Sequence, residues 1–341
     1  MRKLIFSMAF AIISVGVYAQ GAPANKAVKG TAPTQNVTCT DNAQNPIVGK
    51  RYTYTINGPE GKYHFFATDN GTFIDNGALA TSGAYTEGNG QINVGAGSYN
   101  NANSEEKSID ITWTNAAAST SYLVVNHSPK TGCTTTNNLK VLKIQPKNAF
   151  FIELRNMDKD KQTQALSTTS NVDVCLGQIK SAVLTGDQIA YDYGQQSLFY
   201  EFIAVNYDKT FTPQIKIEGL QEGQTATLKW GYSKENISTE LSNTITHTGN
   251  TITLPQITAE ETATPSEGVS IYLELAIKNG KVEGTNDQQI TLSADATTSS
   301  NIKDVKTDCT EEDEFADKAI QTLKARATIT GNGLNFMPSQ P

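Results

Sequence analysis

Imidazole is the side chain most often used for acid–base, nucleophile-activating and metal-binding work near neutral pH. The 341-residue chain has three, His64, His127 and His247. They lie far apart and lack the ligand spacing of a zinc site. His64 stands between Tyr63 and Phe65, where an alternating strand would point it outward. No GxSxG elbow, HExxH helix, phosphate loop or dinucleotide fingerprint accompanies them. Carboxylates are the remaining catalytic option, and glycoside hydrolysis needs two of them flanking one sugar bond. Asp187, Asp192 and Glu201 stand in an aromatic neighbourhood with Tyr191, Tyr193, Phe199 and Tyr200. Aromatic residues are also good strand formers, and the acids between them read as occupants of a wet face. The acidic run 311–314 with Asp317 offers oxygen ligands, but its spacing matches no calcium loop and such a run reads as solvated. The sequence therefore predicts no catalytic residue, no metal site, no cofactor and no enzyme activity. It predicts a binding surface at Tyr191 and Tyr193, because tyrosine joins a large apolar face to a polar tip.

Four cysteines are present, Cys39, Cys133, Cys175 and Cys309, with no CxxC among them. An even count in an exported chain points to two disulfides, and four cysteines allow three pairings. Pairing within each half of the chain gives the expectation Cys39–Cys133 and Cys175–Cys309.

Export is read from residues 1–19. Arg2 and Lys3 precede an apolar run over residues 4–17, and Val17-Tyr18-Ala19 forms a peptidase site before Gln20. The run is too short to span a bilayer, and no second apolar run of spanning length follows. The formal charge of −7 becomes −9 once Arg2 and Lys3 are removed. An acidic chain without a basic cluster excludes nucleic acid as a partner.

The elements that would position these residues are strands. Residues 20–35 have no period and read as a flexible leader. Tyr52, Tyr54 and Ile56 alternate with polar neighbours, as do Tyr63, Phe65 and Ala67, and then Ile109, Ile111 and Trp113. Alternation at period two means one face buried and one wet. Residues 122–125, 139–144 and 150–154 complete this group. Residues 81–104 are rich in Gly and Asn and read as a mobile loop with a short strand at 91–94. Residues 157–172 are polar and read as a linker. Beyond it, Val269, Ile271, Leu273, Leu275 and Ile277 keep period two and are followed by Asn279-Gly280, the signature of a hairpin. A loop at 310–314 and a closing strand containing Leu323, Ala325, Ala327 and Ile329 end the pattern.

Ile111-Thr112-Trp113, Tyr122-Leu123-Val124-Val125, Thr131-Gly132-Cys133 and the strand at 139–144 resemble the closing half of PKD-like and Ig-like modules. Such modules occur in cell-surface, gliding-motility and type IX secretion-associated proteins of Bacteroidota, whose signals also resemble the Tyr-Ala-Gln ending here. The resemblance covers residues 36–155, while residues 331–341 do not resemble a type IX sorting domain. The expected fold is all-β, two tandem Ig-like/PKD-like antiparallel β-sandwich domains at 36–156 and 173–331, with a tail at 332–341. The expected function is that of an exported, non-catalytic structural or interaction protein of the cell envelope. Its expected location is the periplasm, the outer membrane or the cell surface, and its expected partners are other envelope or outer-membrane proteins. The alternative is a glycan-binding surface protein.

Overall fold

The computed structural model describes residues 26–88, 91–114, 120–131, 138–163, 172–207, 210–240, 245–246, 248–260, 267–299 and 301–327. The expected signal peptide at 1–19, the first residues of the expected leader, residues 164–171 of the expected linker, Cys133, His247 and the tail lie outside these. The described chain is nearly all β, with no α-helix, and no helix in it is long and apolar enough to cross a membrane.

The first sandwich uses β1 (Arg51–Thr55), β2 (Gly61–Thr68), β3 (Ile74–Asp75), β4 (Ala78–Leu79), β5 (Ile92–Val94), β6 (Ser108–Trp113), β7 (Ser121–Pro129) and β8 (Asn138–Ile144). Its two main sheets have the orders β1-β6-β5 and β2-β7-β8, with β3-β4 a separate short hairpin. The predicted alternation is realised. Tyr54, Tyr63, Phe65, Ile109, Ile111, Trp113, Leu123 and Val125 pack between the sheets. The buried Trp113 indole satisfies its one donor on the Tyr54 hydroxyl at 2.8 Å. Asn76-Gly77 makes the β3–β4 turn with φ of 46° and 82°, the left-handed conformation that such pairs favour.

The second sandwich uses β9 (Phe151–Met157), β10 (Val172–Cys175), β11 (Ser181–Thr185), β12 (Gln188–Asp192), β13 (Gln195–Val205), β14 (Thr210–Glu218), β15 (Thr225–Gly231), β16 (Thr239–Glu240), β17 (Asn250–Thr253), β18 (Ile257–Thr258), β19 (Val269–Lys278), β20 (Gln288–Thr298) and β21 (Asp317–Lys324). One sheet runs β16-β15-β19-β13-β9 and the other β10-β21-β20-β14-β17, with β18 beside β14. All the strand pairings are antiparallel except β10 with β21. Between the two sheets lies the larger core, which includes Leu198, Tyr200, Phe202, Ile271, Leu273, Ile290 and Leu292.

Four expectations about the strands and loops are corrected, and the cysteine pairing after them. Phe151–Met157, read with the first group of strands, hydrogen-bonds to β13 as an edge of the second sandwich. Its alternate residues Ile152 and Leu154 enter the larger core. Asn279-Gly280 turns the chain but makes no hairpin: β19 pairs with β13 and β15, whereas β20 lies in the opposite sheet. Asn279 is fully buried, and its amide bonds the Tyr193 carbonyl and Gln196. The glycine- and asparagine-rich stretch 81–104 is packed down in its described part. Tyr99 donates to the Tyr85 carbonyl at 2.9 Å, and Asn100 N donates to the Phe65 carbonyl at 2.7 Å.

The fourth correction concerns the leader. Its described residues form a strap over the outer face of the β9-β13-β19 sheet. Ala27 and Val28 bridge to Ala259 and Ser270. Thr31 N donates to Glu201 at 3.1 Å, and Thr34 N and Gln35 N donate to Glu153 at 3.0 and 3.1 Å. Glu153 and Glu201 are fully buried. Such carboxylates persist in a low-dielectric site only when donors surround them. Arg155, on the same face of β9, pairs with Glu153 and donates to the Ala32 carbonyl at 2.7 Å. Gly30 is required where the strap crosses, since a Cβ there would lie 2.0 Å from the Ser270 hydroxyl.

Both predicted disulfides are overturned. Cys39 is bonded to Cys309, and Cys175 is a free, exposed thiol. The strap determines the pairing. It carries Cys39 to the β20–β21 connection, where Thr38 N donates to the Thr307 carbonyl at 2.7 Å.

Two outcomes follow from this architecture. Glu153→Ala strands the buried Arg155 charge and should reduce unfolding free energy by about 3–5 kcal/mol in urea titration; a loss below ~1 kcal/mol would contradict a buried clamp. Non-reduced peptide mapping should recover a Cys39–Cys309 peptide, and either originally expected pair in its place would contradict the strap's path.

Candidate functional site: an exposed apolar hairpin and a half-buried acidic cluster

The predicted surface residues Tyr191 and Tyr193 sit on β12 and just after it. The β11–β12 pair forms a two-stranded hairpin belonging to neither sandwich sheet. Gly186 at φ 63° opens its two-residue turn, the position where glycine alone is unstrained. Directly opposed residues of an antiparallel pair share a face. The register Ala182↔Tyr191 and Leu184↔Ile189 therefore assembles one apolar face. Leu184 is 70% exposed, Ile189 53% and Tyr191 42%. Large apolar side chains normally bury, so their clustering on a projecting element is the feature of this surface that calls for an explanation.

Tyr193 differs from its expected role. It is buried, stacked on Tyr191 with ring centroids 5.4 Å apart, while the Arg326 guanidinium lies 5.6 Å from its ring centre. It is a pedestal for Tyr191 and not an open ring. A shallow pocket of about 410 Å³ runs beside the pair, lined by Gln188, Ile189, Tyr191, Tyr193 and Lys281 among others.

The base of the hairpin is fixed by polar contacts. Lys180 N donates to the Asp192 carbonyl at 2.8 Å, and Gly194 N donates to the Asp192 carboxylate at 2.9 Å. Arg326 donates to the Tyr193 carbonyl at 2.7 Å and also to that of Gly177. Beneath it, Gln196, Asn279, Gln224 and Gln288 form a buried amide network. The arm is therefore held at its root and open along its length. Of the exposed apolar set, only Tyr191 stands out in the sequence, through its aromatic character; Leu184 and Ile189 do not. Period two in a short strand predicts one buried face, and nothing local says that no second layer will cover it.

The other candidates disperse. Tyr63 and His64 are neighbours in β2 and oppose His127 and Asn126, so the two described imidazoles lie on opposite sheet faces. His64 is buried beneath the packed loop, with Nε2 2.9 Å from Asn100 Oδ1, and is not exposed as read from the alternation. His127 stacks on Tyr63 with centroids 4.5 Å apart. Asp192 caps the hairpin base, and Glu201 accepts from Ser270 at 2.6 Å, from Thr31 and from Thr163. Glu201 is a structural acceptor.

The acidic run near 312 contributes to a cluster that spacing did not reveal. Carboxylate oxygens of Asp304, Glu312 and Asp317 all lie within 4.8 Å of one another. The β20–β21 connection folds back to bring them together. Asp304 accepts from Ala296 N at 2.9 Å, whereas Glu312 Oε2 and Asp317 Oδ2 are buried without a hydrogen-bond partner. Burial, followed by hydrogen bonding to Asp295, pushes the Asp304 carboxyl up to about 8. Burial, then the charges of Glu312, Asp304, Glu153 and Asp295, pushes Asp317 up to about 9. Glu312 is raised for the same first reason, with neighbouring Lys306 opposing it. Carboxyls so placed hold protons between them, and they have the donor type to hold a divalent cation.

No protein-family model and no curated protein matches the chain. Among solved structures, the N-terminal domain of PorA aligns at 12% identity over 50% of this chain and 96% of its own, with a TM-score of 0.24. CfaE, the adhesive subunit of the CFA/I fimbria of enterotoxigenic Escherichia coli, aligns at 11% over 90% and 100%, TM-score 0.28. The collagen adhesin of S. aureus aligns at 10% over 85% and 94%, TM-score 0.23. The sandwich assignment rests on the sheets and cores above.

The acidic cluster gives a signed pH dependence. Folded carboxyls near 8 and 9 keep protons that unfolded ones, near 3.8, release. Their contribution is fully favourable below about 4 and is lost as pH rises toward 8–9. Asp317→Asn should therefore raise Tm at pH 8 by roughly 2–4 °C, the effect of ~1 kcal/mol in a domain of this size. The gain should vanish at pH 4; a uniform gain across that range would contradict the assignment.

Proposed function

We propose that this chain is an exported, non-catalytic interaction protein of the cell envelope that engages its partner through the β11–β12 hairpin. The observation that carries this reading is the solvent-facing apolar set Leu184, Ile189 and Tyr191 on an arm that neither sandwich covers. An interface forms where a few such anchors are desolvated inside a polar rim, and Lys281 and Gln188 supply polar groups beside Ile189 and Tyr191. The Cys39–Cys309 disulfide supports an oxidising, extracytoplasmic location.

A protein partner is favoured over a glycan. Sugar stacking needs open aromatic faces, and Tyr193 is buried against Tyr191 and near Arg326, whereas Leu184 and Ile189 suit an apolar protein surface. The partner belongs among other envelope or outer-membrane proteins. The type IX secretion or gliding machinery is the class that the PKD-like resemblance implies.

The test replaces Leu184 and Ile189 with serine in the full chain and compares partner recovery from the native envelope with that of the parent chain. Each anchor at a contact centre carries about 2 kcal/mol, so recovery should fall at least roughly tenfold while Tm is unchanged. Undiminished recovery from a folded double variant would contradict this reading.

A further inference from the structure

The open side of the first sandwich is only half closed. β1 and β8 each end a sheet, β1 pairing only with β6 and β8 only with β7. Their outer edges face one another across a seam. The chain preceding β1 fills one end of it. Gln145 N donates to the Gln44 carbonyl at 2.7 Å, Lys147 N donates to the Pro46 carbonyl at 2.8 Å, and Ile47 and Lys147 form a parallel bridge. The Tyr54 hydroxyl donates to the Ala43 carbonyl at 3.3 Å. Beyond Ala43 the filling stops, and a groove of about 460 Å³ continues along the seam.

Residues 53–56 and 140–142 wall this groove, and Phe65, Leu123 and Val125 of the first core lie at its floor. Among the described residues no strand pairs with the outer edge of either wall. The groove thus offers two unpaired edges over an apolar floor, at the place where the chain's own extended segment leaves off. An added strand uses such features directly, with main-chain hydrogen bonds at the rim and alternate side chains on the floor. One charge is built in. Lys140 opposes Val125 and Leu142 opposes Leu123, so Lys140 shares the inward face with the floor residues. It has no ion-pair partner among the described residues.

We propose that this groove binds an extended strand of a partner protein, apolar at alternate positions and carrying one carboxylate against Lys140. An inward lysine on an edge strand also repels indiscriminate strand pairing, so the same residue admits the acidic strand and rejects others. The surface is distinct from the hairpin, and the proposal does not depend on the hairpin's role.

The full chain would be titrated with two labelled ten-residue peptides, each alternating valine with threonine. One would carry glutamate and the other lysine at a central position on the valine face. The glutamate peptide should bind at least about tenfold more tightly, a difference of ~1.4 kcal/mol. Lys140→Glu should reverse the order, and Lys140→Gln should remove the preference at unchanged Tm. Bound peptide should slow amide exchange at residues 53–56 and 140–142. Absence of saturable binding by either peptide, or a preference untouched by both substitutions, would overturn the proposal. Concentration-dependent dimerisation protecting the same residues would overturn it in favour of a second copy as occupant.

Discussion

The second sandwich depends on two buried carboxylates that face away from its core. Glu153 and Glu201 project from the outer face of the β9-β13-β19 sheet, where an uncompensated charge would be untenable. Backbone amides of the N-terminal strap, the Thr34 and Ser270 hydroxyls and the Arg155 guanidinium surround them. The strap is consequently a third layer. It covers a sheet face that would otherwise lie open, and it carries Val37 onto the apolar cluster of Phe151, Ile203 and Val205. It also delivers Cys39 to Cys309, closing the N-terminal segment onto the β20–β21 connection.

That arrangement bears on where contacts with other molecules can form. One face of the β9-β13-β19 sheet packs on the larger core and the other lies beneath the strap. The β11–β12 hairpin has neither cover, because its polar root holds it clear of both sheets. An arm anchored by Arg326 and the Asn279 network presents its apolar face with little freedom to collapse onto the domain, so less ordering is left to occur on binding.

The strands were legible in the sequence because burial on one face imposes period two. Val269 to Ile277 and Tyr63 to Ala67 enter the cores as their alternation requires. What was illegible depended on long-range partners. The leader has no period because it is held by hydrogen bonds to its backbone, which leave no hydrophobic signature. Asn279-Gly280 carries the local chemistry of a hairpin, yet the buried amide network uses the asparagine to turn the chain toward the other sheet. The cysteine pairing followed the strap and not the halves of the sequence. Asp304, Glu312 and Asp317 meet only because a connection folds back, and no spacing rule anticipates that. Tyr191 stood out in the sequence by its aromatic character, while the exposure of Leu184 and Ile189 is a property of topology.

The central claim is that the chain ties down its N-terminal strap and leaves the hairpin open. Amide hydrogen exchange on the oxidised full chain tests it most directly. The account predicts that the amides of Thr31, Thr34 and Gln35 exchange as slowly as those of β13 and β19, with the hairpin amides between residues 182 and 191 exchanging orders of magnitude faster. Strap amides exchanging at the rate of an unstructured peptide, or hairpin amides as slow as the core, would contradict it.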